Sequence, residues 1–218
     1  MSTQSELKEN LLANHLEGTV RWVVENRSKA LTVLAILTGA ILIGSVVYFG
    51  RQQAVESATT RLAMAEAFIA QRQFDQAKQI LADLKTKTSD RNVSQFILYY
   101  QAQAAIGQRN PDEAIQSLTD LVGRSSREPI RPLALEALGF AYEEKNDYES
   151  AARTYQQFMT AYPEHFLAAR TQLLLGKALA AGGKRDEAKQ ALEQLIDLYP
   201  TSPWAEKART FIDKNKTR

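Results

Sequence analysis

Residues 148–158, YESAARTYQQF, place a small residue, Ala151, four positions before Tyr155 and seven before Phe158. Working outward in both directions, the same spacing returns in FDQAKQILADL (74–84), PDEAIQSLTDL (111–121) and RDEAKQALEQL (185–195). The anchoring alanines are Ala77, Ala114, Ala151 and Ala188, each 37 residues after the last. Large apolar residues follow at plus four (Leu81, Leu118, Tyr155, Leu192) and plus seven (Leu84, Leu121, Phe158, Leu195). Apolar residues at i, i+4 and i+7 lie on one face of a helix, and the invariant small residue marks where a second helix crosses closely.

A second amphipathic segment precedes each of these, near 58–72, 95–108, 132–145 and 169–182. It carries Phe68, Ala105, Tyr142 and Leu179 nine positions before the four alanines. Polar turns separate the two segments: AQRQ before Phe74, GQRN before Pro111, EKND before Tyr148 and AGGK before Arg185. Gly and Asn end helices, and Pro111 suits a first helical turn. The unit is therefore helix A, short turn, helix B and loop, with units near 58–94, 95–131, 132–168 and 169–202. A cap follows at 203–214, with Ser202 as N-cap, Pro203 in the first turn and an apolar stripe of Trp204, Ala208, Phe211 and Ile212. Gly123–Pro132, with two prolines and three arginines, reads as a solvated loop between units two and three. The fold class is all-α.

The third unit runs Leu135-x2-Leu138-Gly139-x2-Tyr142, then Ala151-x3-Tyr155, then Pro163. The fourth gives Leu175-Gly176, Leu179, Ala188-x3-Leu192 and Pro200. This resembles the tetratricopeptide pattern, over about residues 60–215, with Met64-Ala65 and Gln101-Ala102 in place of Leu-Gly in the first two units. The resemblance implies a right-handed α-solenoid whose A helices line a concave, protein-binding groove. Transferred by register, the groove positions are Phe96 and Tyr99 in unit two, Leu133, Glu136, Phe140 and Glu143 in unit three, and Arg170 and Lys177 in unit four. For Phe96 and Tyr99, packing against a neighbouring helix is the competing reading. Leu62 and Glu66 stand where relatives that clamp a C-terminal carboxylate would want Lys and Asn, which argues against tail capture.

Residues 30–49, ALTVLAILTGAILIGSVVYF, contain no charge, and Lys29 and Arg51 bracket them. A helix of this length covers about 30 Å, a bilayer core, and Trp22 and Tyr48 suit its interfaces. VVYFGRQQ is a poor cleavage site for a signal peptide, and a soluble helix is rarely apolar on every face for so long. A transmembrane helix over 30–50 is expected, after a cytoplasmic tail and juxtamembrane helix over 1–29 (Leu12, Leu16, Val20 and Val23 at helical spacing). A linker or helical extension over 51–57 leads into a repeat domain over 58–218. Arg21, Arg27 and Lys29 against Arg51 and Arg61 favour a cytoplasmic N-terminus and a repeat domain outside, periplasmic in a bacterial inner membrane. Ala35, Gly39, Ala40 and Gly44 place small residues one turn apart, a pattern that allows a homodimer.

A net charge of +2 gives no bulk attraction to nucleic acid. The absence of cysteine excludes disulfides, thiolate metal sites and a lipoprotein anchor, and two histidines, His15 and His165, leave little for metal or imidazole chemistry. No phosphate-binding loop, dinucleotide fingerprint or HExxH motif occurs, so no cofactor, metal or catalytic residue is expected. The architecture resembles the ancillary SecYEG translocon subunit family: short tail, one span near 30–50, small repeat domain outside. That resemblance implies a scaffold or chaperone-like helper meeting translocon subunits and nascent secreted proteins. A scaffold for another envelope machine (outer-membrane assembly, secretion or pilus biogenesis, binding its assembly factors) and a cytoplasm-facing regulator remain as alternatives.

Overall fold

The computed structural model describes residues 21–124 and 129–216. Its principal helices are α1 (Arg27–Ala70), α2 (Phe74–Lys87), α3 (Arg91–Gly107), α4 (Pro111–Arg124), α5 (Ile130–Glu144), α6 (Tyr148–Ala161), α7 (Ala168–Ala181), α8 (Arg185–Leu198) and α9 (Pro203–Lys216). The chain falls into two compact units that meet in sequence between Ala54 and Val55. The predicted tail helix lies mostly outside the described residues.

In the first unit the apolar stretch is helical and none of its residues is buried; Leu31, Ile41 and Val46 are 66%, 68% and 73% exposed. Its polar side chains turn back on their own helix. Thr38 Oγ1 donates to the Leu34 carbonyl and Ser45 Oγ to that of Ile41, both at 2.8 Å. Such back-bonding satisfies hydroxyls without water.

The second unit is the repeat. Helices α2, α4, α6 and α8 are the B helices, each of 14 residues and each starting 37 after the last. Their anchoring alanines are fully buried or nearly so, as are all eight plus-four and plus-seven partners. Burial of large apolar side chains at about 1.5–3 kcal/mol each is what holds successive helices together. Side-chain caps add local definition: Asp90 accepts from the Val93 backbone N–H at 2.9 Å and Asp147 from that of Ser150 at 3.0 Å.

The A helices differ from the sequence reading at their starts. α3 begins at Arg91, four residues before the expected start, because Asp90 caps it. The expected loop over Gly123–Pro132 is largely helix at both ends. α4 runs through Arg124, and α5 opens at Ile130, which is 1% exposed, with Pro132 also buried. Proline in a first helical turn loses no hydrogen bond, so Pro132 does not signal loop. Residues 125–128 lie outside the described residues.

The cap obeys the same register. Val93, Ile130, Leu167 and Trp204 open successive A helices 37 residues apart, and Ile97, Ala134, Thr171 and Ala208 are buried one turn later. α9 is thus a fifth A helix. Trp204, Phe211 and Ile212 pack with Leu173, Leu192 and Leu195, and Glu206 and Lys207 on its other face are exposed.

Each turn from A to B passes through one left-handed residue: Arg72 (φ 60°), Arg109 (φ 58°), Asn146 (φ 61°) and Gly183 (φ 82°). Glycine adopts this conformation freely, whereas a Cβ-bearing residue loses about 1 kcal/mol there. Arg109→Gly should therefore raise stability by about 0.5–1 kcal/mol, read as a higher midpoint in urea with an unchanged slope.

Candidate protein-binding groove

The A helices bring five of the eight expected groove residues to one place. Tyr99, Leu133, Glu136, Phe140 and Arg170, joined by Gln103 and Leu174, surround a cleft of about 330 Å³. Helical spacing sets this up: Tyr99 and Gln103 lie one turn apart on α3, Leu133, Glu136 and Phe140 on α5, and Arg170 and Leu174 on α7.

Glu136 is the pivot and differs from its expected role. It is 5% exposed and cannot meet a partner directly. Arg170 grips it with both arms: Nε donates to Oε1 at 2.8 Å and Nη2 donates to Oε2. Thr171 Oγ1 donates to the same Oε1 at 3.1 Å. A buried carboxylate with three donors is satisfied, and the fork geometry fixes the guanidinium at the cleft wall. Tyr99 is half-buried; its hydroxyl accepts from Gln103 Nε2 at 2.9 Å, and burial pushes the phenol above its ordinary value. Phe140 is 39% exposed and is the open apolar surface of the cleft.

The other three expected residues lie elsewhere. Phe96 lines a separate cleft of about 320 Å³ with Val55, Leu62, Glu66 and Tyr100. There the Tyr100 hydroxyl donates to Glu66 Oε2 at 2.9 Å, and burial together with that carboxylate raises the Tyr100 phenol. Lys177 is exposed on α7. Glu143 turns inward: its Oε1 and the Tyr155 hydroxyl are both buried, and no hydrogen bond of good geometry closes on either. Burial pushes the Glu143 carboxyl up, with the Tyr155 hydroxyl and Lys177 drawing it back. Units one and two carry Ile69 and Ile106 at this register position.

A carboxyl whose folded-state value lies above its unfolded one penalises the fold when charged. That penalty is complete above the raised value and absent below the ordinary glutamate range, so stability falls as pH rises between the two. Glu143→Gln should be more stable than the parent at neutral pH and lose that advantage by about pH 4. Paired urea titrations at the two pH values check this; an advantage that persists at the lower pH contradicts it.

Gln103 and Leu174 escaped the sequence reading, although each follows an expected groove residue by four positions. Thr171 gave no signal, because a threonine on an A helix carries no sign of a carboxylate partner 35 residues away. Among the described residues no group of three metal-ligating side chains is placed to hold a metal ion.

Comparison with known proteins places this geometry. Three solved structures superpose on the chain: nearly identical TPR-like repeats from Podosopora anserina (TM-score 0.60, 19% identity, 69% of this chain and 81% of that one); YrrB, described as a TPR protein with an unusual peptide-binding site (0.56, 16%, 70% and 74%); and pilF of Pseudomonas aeruginosa (0.51, 17%, 70% and 66%). At these identities the likeness is one of fold. A search of curated proteins finds no match by sequence. The family model of the tetratricopeptide repeat-like domain matches residues 21–203, taking in the apolar helix as well as all four repeats. With that match over most of its length, and with the 37-residue register visible in its core, the chain belongs to the tetratricopeptide repeat-like domain family.

Proposed function

We propose that this chain is a membrane-anchored protein-binding scaffold whose repeat domain works on the periplasmic side of a bacterial inner membrane, as a helper in protein translocation. The observation that carries the scaffold reading is the cleft around Phe140: an exposed aromatic beside a guanidinium locked in place by a buried carboxylate. Exposed aromatic and arginine side chains on a rigid helical surface are the usual anchors of protein recognition. YrrB, of the same fold, is described by its peptide-binding site, which supports a peptide-binding use of such a solenoid.

The anchor reading draws on the unbroken helix Arg27–Ala70, whose far end buries Leu62 and Ala65 in the first repeat. VVYFGRQQ after the apolar region is a poor cleavage site, and the apolar run is longer than a signal peptide's, which supports an anchor that stays in place. The translocation reading extends from the resemblance in architecture: one span, a short leading tail and a small repeat domain.

An alkaline-phosphatase fusion after Arg218 should be active, and an inactive fusion with an active one near the N-terminus would reverse the topology. Phe140→Ala should fold as the parent does, since Phe140 is partly exposed, yet retain several-fold less translocon or nascent secreted chain in pull-downs from crosslinked membranes. Equal retention would remove Phe140 from the binding surface.

A further inference from the structure

At the edge where the A helices turn into the B helices, a third cleft, of about 360 Å³, opens. Its apolar part is Ile69, Phe74, Ile106 and Phe140, and its rim holds Arg72 and Arg109. The Phe74 ring lies against Gly107 so closely that a Cβ there would stand 2.2 Å from it, so the glycine keeps the aromatic seated in the cleft. Phe140 lines this cleft and the groove described above, so the two surfaces are continuous.

Arg72 and Arg109 are the left-handed residues of their turns, at φ 60° and 58°. Units three and four make the same turn with Asn146 and Gly183, which tolerate that backbone better. The turn itself therefore gives no reason for arginine. Both side chains are exposed, and neither has an ion-pair or hydrogen-bond partner among the described residues. Glu144 is the one acid lining the cleft among the described residues, so the formal charge there is two positive against one negative. Backbone strain accepted at two equivalent positions, with unpaired charge on the mainly polar rim of a recess floored by Phe74 and Phe140, marks a recognition surface.

We propose that this edge cleft selects partner segments in which carboxylates flank a large apolar side chain: the apolar group sits on Phe74 and Phe140, and the carboxylates meet Arg72 and Arg109. This rests on the groove reading and sharpens it to acidic–apolar sequences.

The test uses the full-length chain in neutral detergent and three fluorescein-labelled decapeptides, read by anisotropy. One has four aspartates around a Phe-Leu pair, the second has asparagine for each aspartate, and the third has alanine for the Phe-Leu pair. The acidic peptide should bind about tenfold tighter than either of the others at low salt, and its advantage over the asparagine peptide should shrink at high salt. Arg72→Gly with Arg109→Gly should abolish the advantage over the asparagine peptide while melting no lower than the parent, which separates lost recognition from lost folding. The inference is overturned if the acidic and asparagine peptides bind alike, if the double variant keeps the preference, or if the acidic peptide does not bind. Phe140→Ala then separates the two readings: should it weaken both Phe-Leu peptides equally, the groove stands without its acidic preference, and should it change neither, the groove reading fails too.

Discussion

Gly139→Val should destabilise the repeat domain by about 3 kcal/mol or more, among the largest losses available from a single substitution in this chain. A Cβ at Gly139 would lie 2.3 Å from Cε1 of Tyr155, a fully buried ring with no room to withdraw. Even Gly139→Ala, which gains about 1 kcal/mol in helix propensity, should be a net loss, because the ring or the helix crossing must shift. The chain contains its own control. In units one and two the same crossing is made by Ala65 with Leu81 and by Ala102 with Leu118, all buried. Gly139→Ala combined with Tyr155→Leu therefore recreates an arrangement that already packs, and should be more stable than the two single losses summed by about 1–2 kcal/mol. Urea unfolding of the four proteins in the cycle measures this coupling; strict additivity would show that the Gly139–Tyr155 contact does not govern the crossing.

Arg170→Ala should cost about 2–3 kcal/mol, far more than an exposed ion pair would. The Arg170 side chain is 44% exposed and water entering the cleft in its place moderates the effect, but the Glu136 side chain is 7% exposed with Arg170 present and lies deep in the cleft wall, so water replaces the fork of donors only in part. Removing the arginine leaves a buried charge with only Thr171 to donate to it. The equivalent positions in neighbouring units carry Leu173 for Glu136 and Leu133 for Arg170. Glu136→Leu with Arg170→Leu should therefore recover most of the loss, because an apolar pair of similar size needs no compensation. The recovered fold would still lack the fixed guanidinium, so partner binding should stay impaired while the melting temperature returns. Recovery of both together would mean that Arg170 serves only the fold.

The repeat was legible because a helix crossing tolerates few residues. Ala77, Ala114, Ala151 and Ala188 sit where a larger side chain would force the helices apart, and the large residues four and seven positions on fill the space that remains. The cap α9 was legible from Ser202, Pro203 and its apolar stripe, and the structure adds that its Trp204 and Ala208 repeat Leu167 and Thr171 in register. The groove was half legible. Period fixes which positions face the A-helix surface, but not whether a polar side chain there points outward or is captured. Glu136 and Glu143 have the same residue type and lie two turns apart, yet one is tied to Arg170 and the other turns in toward Tyr155. Each outcome depends on a neighbour on another helix, to which spacing within one helix is blind. Arg72 and Arg109 were passed over for a similar reason. Arginine is no signal of left-handed backbone, and only alignment with Asn146 and Gly183 reveals what those turns require. Pro129 and Pro132 misled in the opposite sense, since proline belongs to helix starts as readily as to loops.

The measurement closest to the central claim is site-specific photo-crosslinking in intact membranes, with a photoreactive residue at position 140 in one protein and at Gln157, exposed on α6, in another. A protein-binding groove predicts defined crosslinked products from position 140, containing translocon subunits or secreted chains in transit, and none of them from position 157. The same products from both positions, or none from position 140 while the domain is folded and anchored, would contradict it.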